Sequence, residues 1–198
     1  TNGATDNTLA EMQDVLGFPA NTFSLDDLNN YNQKLTSALL DLDNTTQLGI
    51  ANSIWIEEGF KVYDSFVDVN KKMYDAQVQE LDFISPTAKD VINQWCATQT
   101  NNCIKEVIQE IPADARMYLI NALYFKGIWK SQFDKSATGQ DNFTNVDGSQ
   151  QKVAMMNQTA TFNYTQTDDF SIAELPYGNE AFSMVILLPS GDKTLDES

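Results

Sequence analysis

Paired carboxylates are the first groups in this chain whose types could do chemistry, and Glu57-Glu58 and Asp168-Asp169 each set two acids side by side. Two carboxyls serve as acid and base in glycoside hydrolysis only when they face one another across a bond, about 5–9.5 Å apart. Neighbouring residues on a strand point to opposite faces, so these pairs read as solvated turn acids and not as a hydrolase site. His is absent altogether, which removes the commonest general base and the commonest metal ligand. No Ser-His-Asp or Cys-His arrangement can be assembled from these residues. Cys96 and Cys103 are too few for a disulfide framework or a thiolate zinc site. On one continuous helix their spacing gives about 10 Å, beyond the roughly 7 Å Cα limit for a bridge. A disulfide would need the chain to turn after Thr100, which Asn101-Asn102 can provide through a left-handed cap; the expectation is two unpaired thiols. The sequence thus offers no catalytic residue, no metal set and no cofactor motif.

Asn44-Thr45-Thr46, Asn142-Phe143-Thr144, Asn157-Gln158-Thr159 and Asn163-Tyr164-Thr165 match the glycosylation acceptor pattern. A chain this rich in Asn and Thr meets the pattern by chance, and the matches are read that way. A more telling amide is Asn121. It sits within an apolar run from Met117 through Leu119, Ile120, Leu123, Tyr124 and Phe125, closed by Lys126-Gly127 before Trp129. The run predicts a strand buried on both faces. An unpaired amide there would cost about 1–3 kcal/mol, so Asn121 is expected to bond its neighbours.

Elements must position these residues, and the bulk numbers permit them. The chain has 198 residues, 42% hydrophobic and 11% aromatic, enough for a globular domain and too apolar for disorder. A formal charge of −16 repels phosphate backbones and anionic lipid, so nucleic acid and membrane surfaces are excluded as partners. No apolar run approaches the roughly 18–20 residues of a spanning helix, and Thr1-Asn2-Gly3 does not begin a charged-then-apolar leader. Scarce Cys and strong acidity fit a secreted or cell-surface bacterial protein, and localisation is expected to be extracellular.

Thr8-Leu9-Ala10-Glu11 has the form of a capping box, opening a short helix with Leu9, Met12, Val15 and Leu16 on one face and Gly17 at its end. Ser24-Leu25-Asp26-Asp27 repeats the logic before Leu28, Leu35, Leu39 and Leu42. Alternation from Gln47 to Ile56 predicts a strand, Glu57-Glu58-Gly59 a turn, and Val62, Phe66, Val69 and Met73 a helix. A strand around 77–83 follows. Ser85-Pro86 then opens a helix with Pro at its first position and Val91, Ile92, Trp95 and Cys96 as its buried stripe. Beyond the Met117–Phe125 strand the pattern turns to short alternating strands, clearest at Val153–Met156, Thr161–Tyr164 and Phe182–Leu188, with Asp147-Gly148 as a turn. The fold class read from this pattern is α+β: helices on a large mixed sheet, then an antiparallel strand meander. One domain over 1–198 is expected, helix-rich over 1–115 and strand-rich over 116–198.

The run Asn121-Ala122-Leu123-Tyr124-Phe125-Lys126-Gly127-Ile128-Trp129 resembles the central strand of the large sheet in serpins. Leu48-Gly49-Ile50-Ala51-Asn52-Ser53-Ile54-Trp55, Glu174-Leu175-Pro176-Tyr177 and Ser183–Pro189 resemble further serpin blocks in family order and spacing. The likeness runs from about Thr5 to about Leu195 and covers part of a serpin domain; the reactive-centre loop would lie beyond Ser198. Departures are local, with Thr100-Asn101-Asn102-Cys103 replacing the family's Thr-x-Gly-Lys and Ala154 replacing a Pro.

The resemblance implies a metastable sheet that accepts a cleaved loop as an added strand. By position it implies that Asn121 lies in the shutter beneath the opening, flanked by Phe125 and Gly127, that Trp129 marks the breach at the sheet's head, and that Thr138 lies in the gate. Asn93 falls on the helix, from Pro86 to about Thr98, that crosses the sheet. The implied function is inhibition of a serine or cysteine protease, trapped as an acyl-enzyme, with no catalytic residue of the inhibitor's own. The alternative within the family is a non-inhibitory carrier, chaperone or storage protein. Leu28–Leu42 carries only Lys34, so glycosaminoglycan is not an expected partner.

Overall fold

Ser24 shows how directly local chemistry sets these elements. Its hydroxyl accepts from Asp27 N–H at 3.1 Å while the Asp27 carboxylate accepts from Ser24 N–H at 3.0 Å, and this reciprocal box opens helix α2, Leu25–Asp41. The computed structural model describes residues 1–19 and 21–190. Its chain forms two compact units, one of residues 1–42 and 47–125, the other of 43–46 with the chain from Lys126 onward.

The first unit holds α1 (Asp6–Val15), α2, strand β1 (Gln47–Glu57), α3 (Asp64–Tyr74), β2 (Ala76–Leu81), α4 (Ala88–Gln99) and β3 (Met117–Lys126). The sheet order is β2-β1-β3. β1 and β2 are parallel, with Asn52 opposite Ala76 and Glu57 opposite Leu81; α3 is the crossover such a pair requires. β3 runs antiparallel to β1, because Glu57 N–H donates to Arg116 O at one end and Gly49 lies against Tyr124 at the other.

Side-chain alternation divides the sheet into two faces. Trp55 and Ala122, joined by Ala51, Tyr118 and Ile120, meet Ile92, Trp95 and Cys96 of α4 in the main core. Ile54 and Ile56 point the other way and are also buried. Burial of each such side chain contributes about 1.5–3 kcal/mol.

Several expectations are corrected. β3 is not buried on both faces: Leu119 is 66% and Leu123 55% exposed, since among the described residues β3 is the outer strand and nothing packs on its second face. Thr8 lies inside α1, which starts at Asp6 after Thr5 with no side-chain cap. The expected apolar face of α1 is largely solvated, with Met12, Val15 and Leu16 exposed; Gln13 is its buried residue, donating to Phe23 O. On α2, Leu28 is buried while Leu35 and Leu42 are exposed. Pro86 does not open α4. Ala88 N–H reaches back to Ser85 O, so a turn intervenes and the helix starts two residues later.

The second unit is antiparallel throughout its named strands. β4 (Gly139–Thr144) pairs with β5 (Gln150–Met155) around a turn at Gly148, φ +79°. β6 (Asn163–Gln166), β7 (Phe170–Pro176) and β8 (Ser183–Pro189) form a three-stranded antiparallel meander; β6 starts two residues after the strand expected at Thr161, and β7 is not among the strands that alternation singles out.

Candidate functional site

The structure places the sequence-derived residues at three positions: the outer strand β3, the α4 helix across the sheet face, and the segment that follows β3. Asn121 lies on the exposed face of β3, not in a buried interior. Its side-chain N–H donates to Asn52 Oδ1 at 3.0 Å and approaches Ala51 O at 3.4 Å. Asn52 Nδ2 then donates to Tyr74 O, the last residue of α3, at 2.8 Å. Two amides therefore carry one hydrogen-bonded path from β3 across β1 to the α3–β2 junction. Sequence reasoning did not identify Asn52; the signal was a second Asn on the facing strand. Phe125 follows on the same exposed face of β3, and Gly127 is half-buried just beyond the strand.

Asn93 is 8% exposed and uses every polar atom of its amide. Oδ1 accepts from Val107 N–H at 2.9 Å and Ile108 N–H at 3.0 Å, while Nδ2 donates to Ile108 O at 2.8 Å. These bonds bracket the irregular segment after α4 onto the helix. The helix ends where Thr100, 1% exposed, donates to Cys96 O at 2.7 Å and accepts from Ile104 N–H at 3.0 Å. Asn101 and Asn102 follow at φ +49° and +62°, the left-handed turn that Asn tolerates in place of Gly. Cys96 and Cys103 are both free thiols, the first buried and the second exposed, as expected.

In the second unit Trp129 is flanked by two rings. Tyr177 stacks on it with centroids 4.3 Å apart and planes 16° from parallel; Phe133 meets it edge-on at 5.8 Å. Backbone bonds on either side fix the stack, Lys130 N–H to Pro176 O at 3.0 Å and Gly178 N–H to Ile128 O at 2.7 Å. Tyr177 is 7% exposed, and burial pushes its phenol pKa upward. Tyr177 was legible only as part of a sequence block and not as the partner of Trp129. Thr138 ends a short 3-10 turn, Lys135–Ala137, whose N-terminus Asp134 caps by accepting from Ser136 N–H and Oγ. Those same bonds hold the Asp134 carboxyl below its usual pKa.

None of these groups forms a nucleophile–base pair. What the first unit supplies is mechanical: a strand that is outermost among the described residues and a cross-strand amide path; the second unit holds the aromatic stack. Among the described residues no helix is long and apolar enough to cross a membrane.

Comparison with known proteins adds a family frame. A family model described as "Serpin (serine protease inhibitor)" matches residues 1–198. An uncharacterized serpin-like protein of Methanosarcina acetivorans is 35% identical over 96% of this chain and 45% of its own length. Human Serpin B3 is 30% identical over 95% of this chain and 53% of its own length. The native-state crystal structure of tengpin, a thermophilic serpin, superposes with TM-score 0.86 at 31% identity, covering 99% of this chain and 49% of that one. The chain spans about half the length of the curated relatives it matches.

Proposed function

The chain belongs to the serpin family, and from that membership we propose that the protein inhibits serine proteases by accepting its own cleaved loop as a new strand beside β3. Serpins as a family are associated with protease inhibition; the mechanism for this protein is our reading. The attacking protease serine forms an acyl bond with the loop carbonyl and releases the new amine. The freed loop then adds to the sheet before water can hydrolyse the ester. Its driving force is a strand's worth of main-chain hydrogen bonds and apolar burial.

The observation that carries this reading is the position of β3. Among the described residues it is the outer strand of β2-β1-β3. One of its faces is packed under α4 and the other presents Leu119, Leu123 and Phe125 to solvent. The edge of an outer strand can template another strand. In this reading Asn121 and its Asn52 partner are the shutter, Trp129 with Tyr177 is the breach where insertion starts, Thr138 belongs to the gate, and Asn93 holds the crossing helix that must yield. Residues 1–198 then form part of a single serpin domain, and secretion or display at the cell surface follows from a protease target met outside the cell.

The test is to mix the full-length protein with trypsin-like and chymotrypsin-like proteases. A covalent complex that survives denaturing electrophoresis is expected. Clean turnover of the loop, with no such band for any protease, would replace inhibition by the carrier or storage reading.

A further inference from the structure

Asp43 is 4% exposed, and the function described above does not use it. Its carboxylate accepts from Thr45 N–H at 2.8 Å, Thr45 Oγ1 at 2.7 Å and Thr46 Oγ1 at 2.8 Å, and also from the backbone N–H of Asn179. The first three bonds make a local turn of a kind Asp and Thr often form. The fourth is different, because it ties this turn to the segment immediately after Tyr177. Gly178 explains how the two can meet. A Cβ at that position would overlap the Thr45 hydroxyl and come within 2.5 Å of Asp43 Oδ2, so only a glycine lets the Pro176–Glu180 turn close over the carboxylate.

We propose that Asp43 is a positioning residue for the Trp129–Tyr177 stack, holding the turn after Tyr177 so that the phenol ring lies flat on the indole. The importance of the stack to inhibition rests on the reading of Trp129 as the entry point for insertion; the positioning itself does not. The route is short. Asp43 fixes Asn179 and Gly178, Gly178 N–H is bonded to Ile128 O, and the two rings are the side chains of the next residues, Tyr177 and Trp129. Nothing else among the described contacts reaches this turn from the 43–46 segment by a charged acceptor. A carboxylate that gathers hydroxyl and amide donors makes stronger bonds than a neutral acceptor would.

The experiment labels the intact protein with 5-fluorotryptophan and assigns the Trp129 fluorine resonance by its loss in W129F. A ring stacked face-on shields that nucleus, so release of Tyr177 moves the resonance downfield. D43A is expected to move it downfield while the Trp55 and Trp95 resonances stay in place. D43N, which keeps one acceptor oxygen, is expected to move it part of the way. G178A, which wedges the turn open by a separate route, should reproduce the D43A position. An unmoved Trp129 resonance in D43A and D43N overturns the inference. Collapse of that resonance to the random-coil position in D43N overturns it too, since Asp43 would then hold the fold of this unit and not the stack. The fluorine spectrum reads the stack whether or not a protease is trapped, so loss of the covalent band alone counts against the inhibitory reading and not against this one.

Discussion

Asn121 and Asn52 stand opposite one another on adjacent strands and share an amide–amide hydrogen bond of 3.0 Å. Asn52 passes the connection to Tyr74 O, so truncating the two residues has unequal effects. N121A removes the exposed bond to Asn52 and the longer one to Ala51 O and is expected to cost about 0.5–1.5 kcal/mol in urea unfolding. N52A removes both links and should cost more. A double-mutant cycle should return a coupling of about 0.5 kcal/mol or more; additive losses would mean that water replaces the bridge.

Asn93 is a sharper case, because Ile108, which it bonds through both backbone groups, is buried. In N93A the N–H groups of Val107 and Ile108 and the carbonyl of Ile108 lose their acceptor or donor. A buried group left unsatisfied costs about 1–3 kcal/mol, so the variant is expected to lose that much stability. Amide exchange at Val107 and Ile108 should accelerate while α4 itself stays protected. Unchanged exchange at those two positions would show that the bracket is not what holds the segment.

Much of this fold was legible because strand and helix periods are written in the apolar residues. β1 and Ile92, Trp95 and Cys96 on α4 fall where alternation and helical spacing put them, whereas Val91, read into the same stripe, is 39% exposed. What could not be read is which face of a strand meets a neighbour. Leu119, Leu123 and Phe125 look like core residues in a linear pattern, yet they are solvated because, among the described residues, nothing packs on that face of β3. The same limit hid the partners in the site. Asn121 and Trp129 were visible as an amide in an apolar run and an aromatic after a glycine. Their counterparts Asn52 and Tyr177 lie 69 positions before the first and far along the chain from the second, and only register brings them together. The caps fall elsewhere: Thr8 and Pro86 have suitable chemistry, but α1 begins at Asp6 and a turn from Ser85 to Ala88 precedes α4.

The two thiols make opposite predictions about labelling. Burial pushes the Cys96 thiol pKa up, which leaves it protonated and shielded, whereas Cys103 is exposed. The thiolate is the reactive form. Of the thiols described here, only Cys103 should react with iodoacetamide in the native state, and Cys96 should join it on unfolding. Peptide mapping of the labelled protein distinguishes the two. Native labelling of Cys96 would require the α4 face to open, and a C103S variant that still labels natively would reveal it.

Acid should loosen the Asp43 turn. Burial by itself would raise this carboxyl's pKa, but the bonds from Thr45, Thr46 and Asn179 outweigh it and hold the pKa below its usual value of about 3.8. A folded-state pKa below the unfolded one means that the stabilisation is complete above the usual carboxylate range and is lost as pH falls through the folded value. The groups closing around Asp43 are Thr45, Thr46 and the backbone of Asn179, which carry no charge; the nearby Glu180 is paired with Lys130 at 2.6 Å. Asp27, Asp134, Asp147 and Glu174 are held low by their own hydrogen bonds, chiefly from Ser24, Ser136, Ser149 and Asn163, so total stability falls in the same window for several reasons. The comparison of wild type with D43N cancels those shared contributions. Their difference in urea midpoint is expected to be constant from neutral pH down to about pH 5 and to shrink steadily below it. A difference that stays level to pH 3, or grows with acid, would show that the Asp43 carboxylate does not carry the turn.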